Sequence, residues 1–138
     1  MARIIGWHEY VALPEWGIRR LRAKIDTGAR TSSIHVASIE PVDDGHLRFE
    51  VVTRERPVRR TRWVQAEIVR TAVVKPMPGH KDERPVVRTR MVLAGVELDV
   101  EINLVRRTGM TCRMLVGRLA LRDHFLVDPS RKHLGDSP

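Results

Sequence analysis

The sequence has little cysteine, few aromatic residues and no long apolar run. Cys112 is its one cysteine among 138 residues, and 4% of the residues are aromatic. A lone cysteine excludes an intrachain disulfide and a cysteine-rich zinc site, and it agrees with a reducing compartment. The longest apolar stretch, residues 91–96, is far shorter than the roughly 18 residues of a membrane span. Glu9 also lies where a signal peptide would need its apolar core, so we expect a cytoplasmic protein without a membrane partner.

Positive charge is what the sequence has in excess. Lysine and arginine number 25 against 17 aspartate and glutamate, which gives a net charge of +8. Most of the basic residues are arginine, whose planar guanidinium suits carboxylates and phosphates. An acidic partner is one explanation, and a uniformly arginine-coated surface is the other, because the basic residues are spread along the whole chain. The few aromatic residues lie outside any basic motif, so we do not expect nucleic-acid binding.

Hydrophobic periodicity predicts a mainly β fold in a single domain that spans residues 1–138. In residues 96–104, Val, Leu and Ile alternate with Glu, Asp and Asn, as in a strand with one buried face. Residues 87–93 form a strand before it, and Ala94-Gly95 suits the tight turn between them. One short helix is predicted from Gly117 through Arg122, where it would cover an end of a barrel or sandwich. The other predicted strands are 4–11, 19–25, 33–39, 46–53, 63–74 and 125–127.

A polar segment rich in structure breakers separates two of these strands. Residues 75–85 combine prolines and a glycine with charged side chains, which favours the tip of a long, mobile hairpin. Such a tip can close over a site, although an ordinary exposed loop has the same composition.

The motif that carries chemistry is Asp-Thr-Gly-Ala at residues 26–29, directly after the predicted strand 19–25. A carboxylate at a strand end, followed by a hydroxyl and a glycine, permits close approach of backbone or substrate. Asp-Thr-Gly is also a common turn sequence, so alone it is a weak signal. A second element, Met-Leu-Val-Gly-Arg at residues 114–118, is an apolar strand that ends in glycine and opens the predicted helix.

Together these elements resemble the aspartic peptidases of the retropepsin type. In that family an apolar strand enters an Asp-Thr-Gly-Ala loop, a flap hairpin follows, and an apolar-apolar-Gly-Arg segment then passes behind the loop into a helix. The sequence has these parts in the same order, at residues 25–29, around Gly79 and at residues 115–118. The resemblance implies a closed β-barrel of the acid-protease type with one short C-terminal helix, and aspartic-type endopeptidase activity.

The wider pattern of residues 13–18, 23–35, 115–118 and 125–129 is similar to one bacterial branch of these peptidases. That branch carries the name ATP-dependent zinc protease and is associated with ATP-grasp ligases that add glutamate to proteins, so the resemblance implies such a ligase as a partner. The residues do not match the name, because they include no Gly-rich phosphate loop with Lys-Ser/Thr, no His-Glu-x-x-His and no cysteine pair. The histidines lack ligand spacing, so we expect no metal and no cofactor.

The aspartic mechanism needs two carboxylates, because one cannot both activate water and protonate the substrate carbonyl. Two carboxylates about 3 Å apart share a proton, so that the ionised one can draw a proton from water while the neutral one donates. The sequence contains a single Asp-Thr-Gly. The second carboxylate must then come from another copy, which predicts a two-fold homodimer with Asp26 of each subunit at the axis.

The resemblance assigns Asp26 as the catalytic residue and the loop around it as support. Thr27 would brace the paired loops, Gly28 would take substrate backbone, and Ala29 would leave room beside the dyad. Gly117 would pack against this loop, where a Cβ would collide, although a glycine that simply begins a helix is the alternative. The candidate substrate-binding residues are Arg30, Met77, Gly79 and Arg118.

One position departs from the retropepsin pattern. Many retropepsins have an aspartate after Asp-Thr-Gly-Ala that pairs with the arginine after the later glycine, whereas here Arg30 faces Arg118. Two arginines cannot form that salt bridge. We therefore expect a carboxylate between them, such as Asp123, Asp128 or an acid of the substrate.

An added hairpin and a basic run, residues 54–62, lie between the two motifs. The run is either a solvated loop or a docking segment for an acidic partner. Since the similar branch accompanies glutamate ligases, we hypothesise that a set of arginines recognises glutamate-rich tails. This set is Arg30, Arg59, Arg60 and Arg62.

The sequence thus predicts a homodimeric aspartic endopeptidase that acts on a peptide or protein substrate, with acidic or glutamate-modified tails as the hypothesised substrates. The alternative from a different class is a non-catalytic peptide-binding adaptor of a glutamate-ligase system. Zinc-dependent proteolysis and a small basic nucleic-acid binder are weaker alternatives.

Overall fold

The computed structural model describes residues 2–75, 77–106 and 112–136. Within these residues the chain forms ten β-strands and one short α-helix. The strands are β1 (Arg3–Leu13), β2 (Ile18–Asp26), β3 (Ser32–Asp43), β4 (His46–Arg54), β5 (Arg60–Glu67), β6 (Arg70–Val74), β7 (Asp82–Leu93), β8 (Val96–Val105), β9 (Met114–Gly117) and β10 (Phe125–Lys132). The helix α1 covers Arg118–Leu121, and 3-10 turns cover Pro14–Trp16 and Leu134–Asp136.

Six of the described strands close into a barrel. The order around it is β1, β2, β9, β3, β8 and β7, and the pairing of Val11 with Leu93 and of Ala12 with Val92 joins β7 back to β1. The β2–β9 and β3–β8 pairs are parallel, whereas the β1–β2, β3–β9 and β7–β8 pairs are antiparallel. Closure leaves no free strand edge within the ring.

Alternation of apolar and polar residues explains the interior of the barrel. One face of each ring strand is apolar, and burying that face supplies most of the stabilisation of the fold. The fully buried side chains of the core include Ile5, Leu13, Leu21, Ile34, Met91, Leu93, Ile102 and Met114. The polar faces of the same strands remain outside, where they are available for charge interactions.

Four strands extend the barrel. β4 and β5 continue outward from β3 as an antiparallel sheet, β6 pairs with β7, and β10 pairs in parallel with β1. The added sheet packs Phe49 edge-to-face on Trp16, with ring centroids 5.3 Å apart. The β6–β7 hairpin pairs Val74 with Asp82, and its described tip residues are 75 and 77–81.

A buried carboxylate holds the last described turn. Glu9 is fully buried, and its Oε2 accepts the N–H groups of Gly6 at 2.7 Å and Leu134 at 2.9 Å. Its Oε1 accepts the N–H of Gly135 at 3.0 Å. Three backbone donors offset the cost of burying this charge and fix the 3-10 turn against β1.

The structure confirms the mainly β class, the closed barrel and, among the described residues, the one short helix. The tight turn at Ala94-Gly95 is also present, with φ values of 51° and 79° that suit a hairpin of this hand. The single domain of residues 1–138 stays a prediction.

One predicted strand is wrong, because residues 63–74 form two strands in different pairings. β5 ends at Glu67 and pairs with β4, whereas β6 begins at Arg70 and pairs with β7. The N–H of Ile68 donates to Gly45 and the N–H of Val69 donates to Val86, at 2.7 and 2.8 Å. The chain therefore changes partners between two apolar residues, without the proline or glycine that usually marks such a break.

Candidate functional site

The Asp-Thr-Gly-Ala motif forms the start of the loop that follows β2, here called the Asp26 loop (residues 26–31). The N–H of Gly28 donates to Asp26 Oδ1 at 3.0 Å, and the N–H of Ala29 donates to the Asp26 carbonyl at 3.2 Å. Asp26 is half-buried, whereas Thr27 and Gly28 are exposed. No other hydrogen bond to this carboxylate comes from the described residues. Most of its lone pairs are therefore open to water or a ligand.

Gly117 lies directly behind the Asp26 loop. It pairs in register with Asp26, and its N–H donates to Ser32 Oγ at 3.1 Å. A Cβ on Gly117 would lie 2.5 Å from the Thr31 carbonyl oxygen and 2.9 Å from the Thr31 nitrogen. These are backbone atoms that cannot move aside cheaply, so the close packing of β9 on the loop requires glycine at this position.

The first residues of α1 are bonded to the same loop. The N–H of Arg118 donates to the Ala29 carbonyl at 2.8 Å, and the N–H of Leu119 donates to the Arg30 carbonyl at 3.2 Å. The Arg118 guanidinium donates to the Gly28 carbonyl at 3.3 Å. Arg118 thus supports the loop through backbone carbonyls and needs no carboxylate partner to do so.

Arg30 and Arg118 occupy the positions that form a salt bridge in many retropepsins. No acid of the described part of the chain lies between them. Asp128 accepts hydrogen bonds from Ser130, and its other oxygen lies 3.6 Å from the guanidinium of Arg131. Asp123 forms no ion pair with Arg30 or Arg118 among the described residues, so the expected intramolecular bridge is absent there. The exposed guanidinium of Arg30 is left for solvent or a ligand.

A cleft of about 1020 Å³ opens between the Asp26 loop and the β6–β7 hairpin. Its walls are residues 28–31 of the loop, residues 70–74 of β6, Met77, and side chains from β3, β7, β8, β9 and α1. Of the predicted site residues, the cleft brings together Gly28, Ala29, Arg30 and Met77. Gly79 lies at the hairpin tip with φ of 81° and nothing within 4 Å of its Cβ position, so it does not line the cleft.

A hydrogen-bonded network, which the sequence analysis did not find, connects the hairpin to the Asp26 loop. Arg84 donates to Asp82 Oδ2 at 2.7 Å and to Asn103 Oδ1 at 3.3 Å. Asn103 is buried, and it donates to Thr31 Oγ1 at 3.4 Å and accepts from Ser33 Oγ at 2.8 Å. Alternation placed Asn103 on the solvent side of its strand. The sequence signal that distinguishes Asn103 is that it is an amide, whereas the other polar residues that alternate along this strand are carboxylates.

The cleft contains more cations than anions. Its one lining carboxylate, Glu101, accepts hydrogen bonds from Arg70 at 2.9 Å and Arg88 at 3.1 Å, and these two bonds lower the pKa of Glu101. The lining cations Arg30 and Lys75 are exposed and form no ion pair with a described residue. An anionic ligand therefore complements the cleft.

Burial shifts the pKa of titratable groups elsewhere in the described part of the chain. Across residues 2–75, 77–106 and 112–136, no three His, Cys, Asp or Glu side chains converge as metal ligands. Burial, followed by the positive charges of His133, Arg22 and Lys132, lowers the pKa of the buried His8. Burial raises the pKa of the Cys112 thiol, which makes it a poor nucleophile. None of the described helices is long and apolar enough to span a bilayer.

Comparison with known proteins accords with this geometry. Over residues 4–138 the chain matches the RimB-like family, described as "Retropepsin-like aspartic endopeptidase RimB". The chain belongs to the RimB-like family. This membership confirms the resemblance to retropepsins that the two motifs and their order carry.

Curated relatives have a different name. The chain is 35% identical over 131 residues to a "Probable alpha-L-glutamate ligase" of Desulfotalea psychrophila, and 34% identical over 134 residues to one of Shewanella pealeana. These matches cover 93% and 92% of this RimB-like chain, but the chain spans 28% of the length of each relative.

A solved structure shares the whole fold. The crystal structure of a Legionella pneumophila protein of unknown function superposes on the RimB-like chain with a TM-score of 0.79. The sequence identity is 28%, and the match covers 98% of this chain and 99% of the other.

Proposed function

We propose that this chain is an aspartic-type endopeptidase whose catalytic dyad consists of Asp26 from each of two copies. The single observation that carries the proposal is the geometry of the Asp26 loop. Its carboxylate is half-buried and is held by one backbone N–H, Gly117 braces the loop from behind, and residues 28–31 of the same loop line a large cleft. Family membership supports the same chemistry.

The reaction follows from two such carboxylates facing each other. The ionised Asp26 takes a proton from water, whose oxygen attacks the peptide carbonyl carbon, while the neutral Asp26 protonates the carbonyl oxygen. The resulting tetrahedral intermediate collapses as the C–N bond breaks: the leaving nitrogen takes a proton from one Asp26, and a hydroxyl of the intermediate gives its proton to the other, which restores the singly protonated dyad. In one copy the loop presents the exposed backbone of Thr27 and Gly28, which suits contact with a second loop and with substrate backbone.

Apolar surface beside the loop supports a homodimer. Ile4 and Leu126 are register partners on β1 and β10, and they are 58% and 61% exposed. The pairing of His8 with Lys24 places the start of β1 alongside the end of β2, where Asp26 lies. Adjacent exposed aliphatic side chains favour coverage by a partner, and a second copy would cover them as it brings the two Asp26 loops together.

The charge of the cleft supports an acidic polypeptide as the substrate. Arg30 and Lys75 line the cleft, are exposed and form no ion pair with a described residue. A guanidinium recognises a carboxylate through paired hydrogen bonds. Glutamate-containing segments are therefore the proposed substrates, and a cytoplasmic location is part of this proposal.

The names of the relatives support a working association with a glutamate ligase. Proteins about four times longer than the matched segment are named probable alpha-L-glutamate ligases, and this chain corresponds to 28% of their length. The second candidate function, a peptide-binding adaptor for such a ligase, rests on this observation. It would use the same cleft without cleavage.

The decisive experiment is cleavage of quenched fluorescent peptides that contain glutamate or glutamine around the cut bond. Asp26→Asn should reduce kcat/KM at least about 100-fold, because it removes both the general base and the shared proton. Asp44→Asn, at an exposed turn, is the matched control and should cleave like the unaltered protein. If the unaltered protein binds the peptides but never cleaves them, the adaptor replaces the peptidase.

The dimer has its own test in sedimentation velocity. Leu126→Glu should shift the protein to monomers and abolish cleavage, since a charge on the proposed interface cannot be buried unpaired. Val42→Glu is the control, because Val42 is 46% exposed near the end of β3, outside the proposed interface. A monomeric Leu126→Glu variant that still cleaves would contradict the shared dyad.

A further inference from the structure

A row of cations on β2 leads to Asp26. Arg20, Arg22 and Lys24 are exposed and alternate with residues of the same strand whose side chains are buried in the barrel. Because side chains of a strand point to alternate faces, these three residues and Asp26 share the outer face at intervals of about 6.7 Å. We call the three basic residues the β2 cation row. Asp26 thus occupies the next outward-facing position on β2 after this row.

Neighbouring strands add positive charge to this face. His8 lies in register between Lys24 on β2 and Lys132 on β10. Lys132 is exposed like Lys24, and it adds a positive charge two strands away from the row. The row is therefore part of a broader basic surface beside the Asp26 loop.

Arg22 and Lys24 have no acidic partner among the described residues. The carboxylate on the adjacent strand, Glu9, points into the protein, where three backbone N–H groups bind it. Cations on the other side of the barrel are different, because Arg70 and Arg88 share Glu101, and Arg84 binds Asp82. Another molecule can therefore supply the matching negative charge for Arg22 and Lys24.

We propose that the β2 cation row binds an acidic segment of the polypeptide substrate, outside the cleft and next to the bond that Asp26 cleaves. The proposal rests on the proposed function, from which it takes the polypeptide nature of the ligand. An extended peptide repeats its same-side side chains at the spacing of the row, so alternate carboxylates can face successive cations.

The surroundings of the row favour a polypeptide over a nucleic acid. Single-stranded nucleic acids bind basic surfaces that offer aromatic rings for base stacking. Here the Tyr10 ring is covered by the Arg20 guanidinium at 3.9 Å and stacked on His133 at 4.8 Å.

The test measures binding separately from cleavage. Fluorescence anisotropy of the Asp26→Asn protein is recorded with a labelled peptide of 14 glutamates, with the matching glutamine peptide, and with a single-stranded oligonucleotide of similar charge. On this background, Arg22→Gln with Lys24→Gln removes two charges from the row. Arg48→Gln with Arg90→Gln removes two exposed charges from β4 and β7, which leaves the net charge matched. Thermal melting confirms that each variant is folded.

We expect the glutamate peptide to bind and the glutamine peptide not to bind. The row variant should weaken binding roughly tenfold at low salt, with a smaller difference at high salt, and the β4–β7 control should not. If both variants lose the same affinity for the glutamate peptide, net charge alone explains the binding and the proposal is wrong. The proposal is also wrong if the glutamate peptide does not bind at all. Preferential, row-dependent binding of the oligonucleotide would replace the polypeptide by a nucleic acid. Row-dependent peptide binding without any cleavage by the unaltered protein would reject the peptidase and retain the row.

Discussion

Two carboxylates on neighbouring strands, Glu9 of β1 and Asp26 of β2, have opposite surroundings. Glu9 is fully buried and accepts three backbone N–H groups at 2.7–3.0 Å. Asp26 is half-buried and accepts one such bond from the described residues, from Gly28 at 3.0 Å. The two residues lie on adjacent strands of the same barrel, so the difference in their surroundings arises from what packs around each side chain.

The comparison separates a structural acid from one that is available for chemistry. Hydrogen bonds from fixed backbone donors hold the Glu9 charge in one position and leave no room for water or substrate. Asp26 keeps free lone pairs beside a cleft, and its position is fixed by the packing of Gly117 on the loop backbone rather than by bonds to the carboxylate. The Asp26 region should therefore depend on steric fit, and the Glu9 region on hydrogen bonding.

The largest expected effect is at the packed side of the Asp26 loop. Gly117→Ala would place a Cβ 2.5 Å from the Thr31 carbonyl oxygen, so the loop and β9 must separate. We expect a loss of at least about 3 kcal/mol of unfolding free energy in urea titrations, at the upper end of overpacking costs. Any folded protein should also have lost cleavage activity.

The matched glycine on the same loop is Gly28. A Cβ there would have one close neighbour, Asp26 Oδ1 at 3.2 Å, so Gly28→Ala should cost less than about 1 kcal/mol of unfolding free energy. Equal stabilities for the two variants would show that steric fit behind the loop does not hold Asp26 in place.

The sequence contains much of this fold because local patterns determine it. Alternation in β8 and the turn at Ala94-Gly95 define a hairpin without any knowledge of its neighbours. The break between Ile68 and Val69 escapes such reasoning, since both residues are apolar and the change of partner depends on acceptors at Gly45 and Val86. Long-range hydrogen bonds of this kind leave no local pattern.

The candidate site likewise contains parts that the sequence predicts and parts that it does not. The Asp26 loop and Gly117 stand out because their motifs have a fixed order along the chain. The links from Arg84 through Asn103 to Thr31 join residues 19 and 72 positions apart, and alternation alone assigned Asn103 to solvent. Glu9 was similarly read only as an interruption of an apolar stretch, because its three donors are brought to it by the turn of the strand and by the far end of the described chain.

A smaller effect is expected when the buried carboxylate of Glu9 is replaced by an amide. Glu9→Gln replaces one carboxylate oxygen by an NH₂ group that faces backbone donors. At least one buried N–H then loses its acceptor, which should cost about 1–3 kcal/mol of unfolding free energy. Glu97→Gln, at an exposed residue of β8, is the control.

Asp26→Asn, measured in the same urea titrations, gives the matching value for the second acid. Because the Asp26 carboxylate makes few bonds within the protein, this variant should remain within about 0.5 kcal/mol of the unaltered protein. A cost at Asp26 equal to that at Glu9 would remove the distinction between the two acids.

The smallest effect concerns pH at the Glu9 end of the comparison. His8 precedes Glu9 and is buried, and its pKa lies below the value of 6.5 that it has in the unfolded chain, because burial and the charges of His133, Arg22 and Lys132 outweigh the attraction of Glu9. Between these two pKa values the unfolded chain binds more protons than the folded protein, so stability falls as the pH drops below 6.5 and levels off below the folded pKa. The melting temperature should therefore fall less between pH 7.5 and 5.5 in His8→Phe than in the unaltered protein. His80→Gln, at an exposed residue of the β6–β7 hairpin, should retain the full dependence, and an identical fall in all three proteins would exclude His8 as its source.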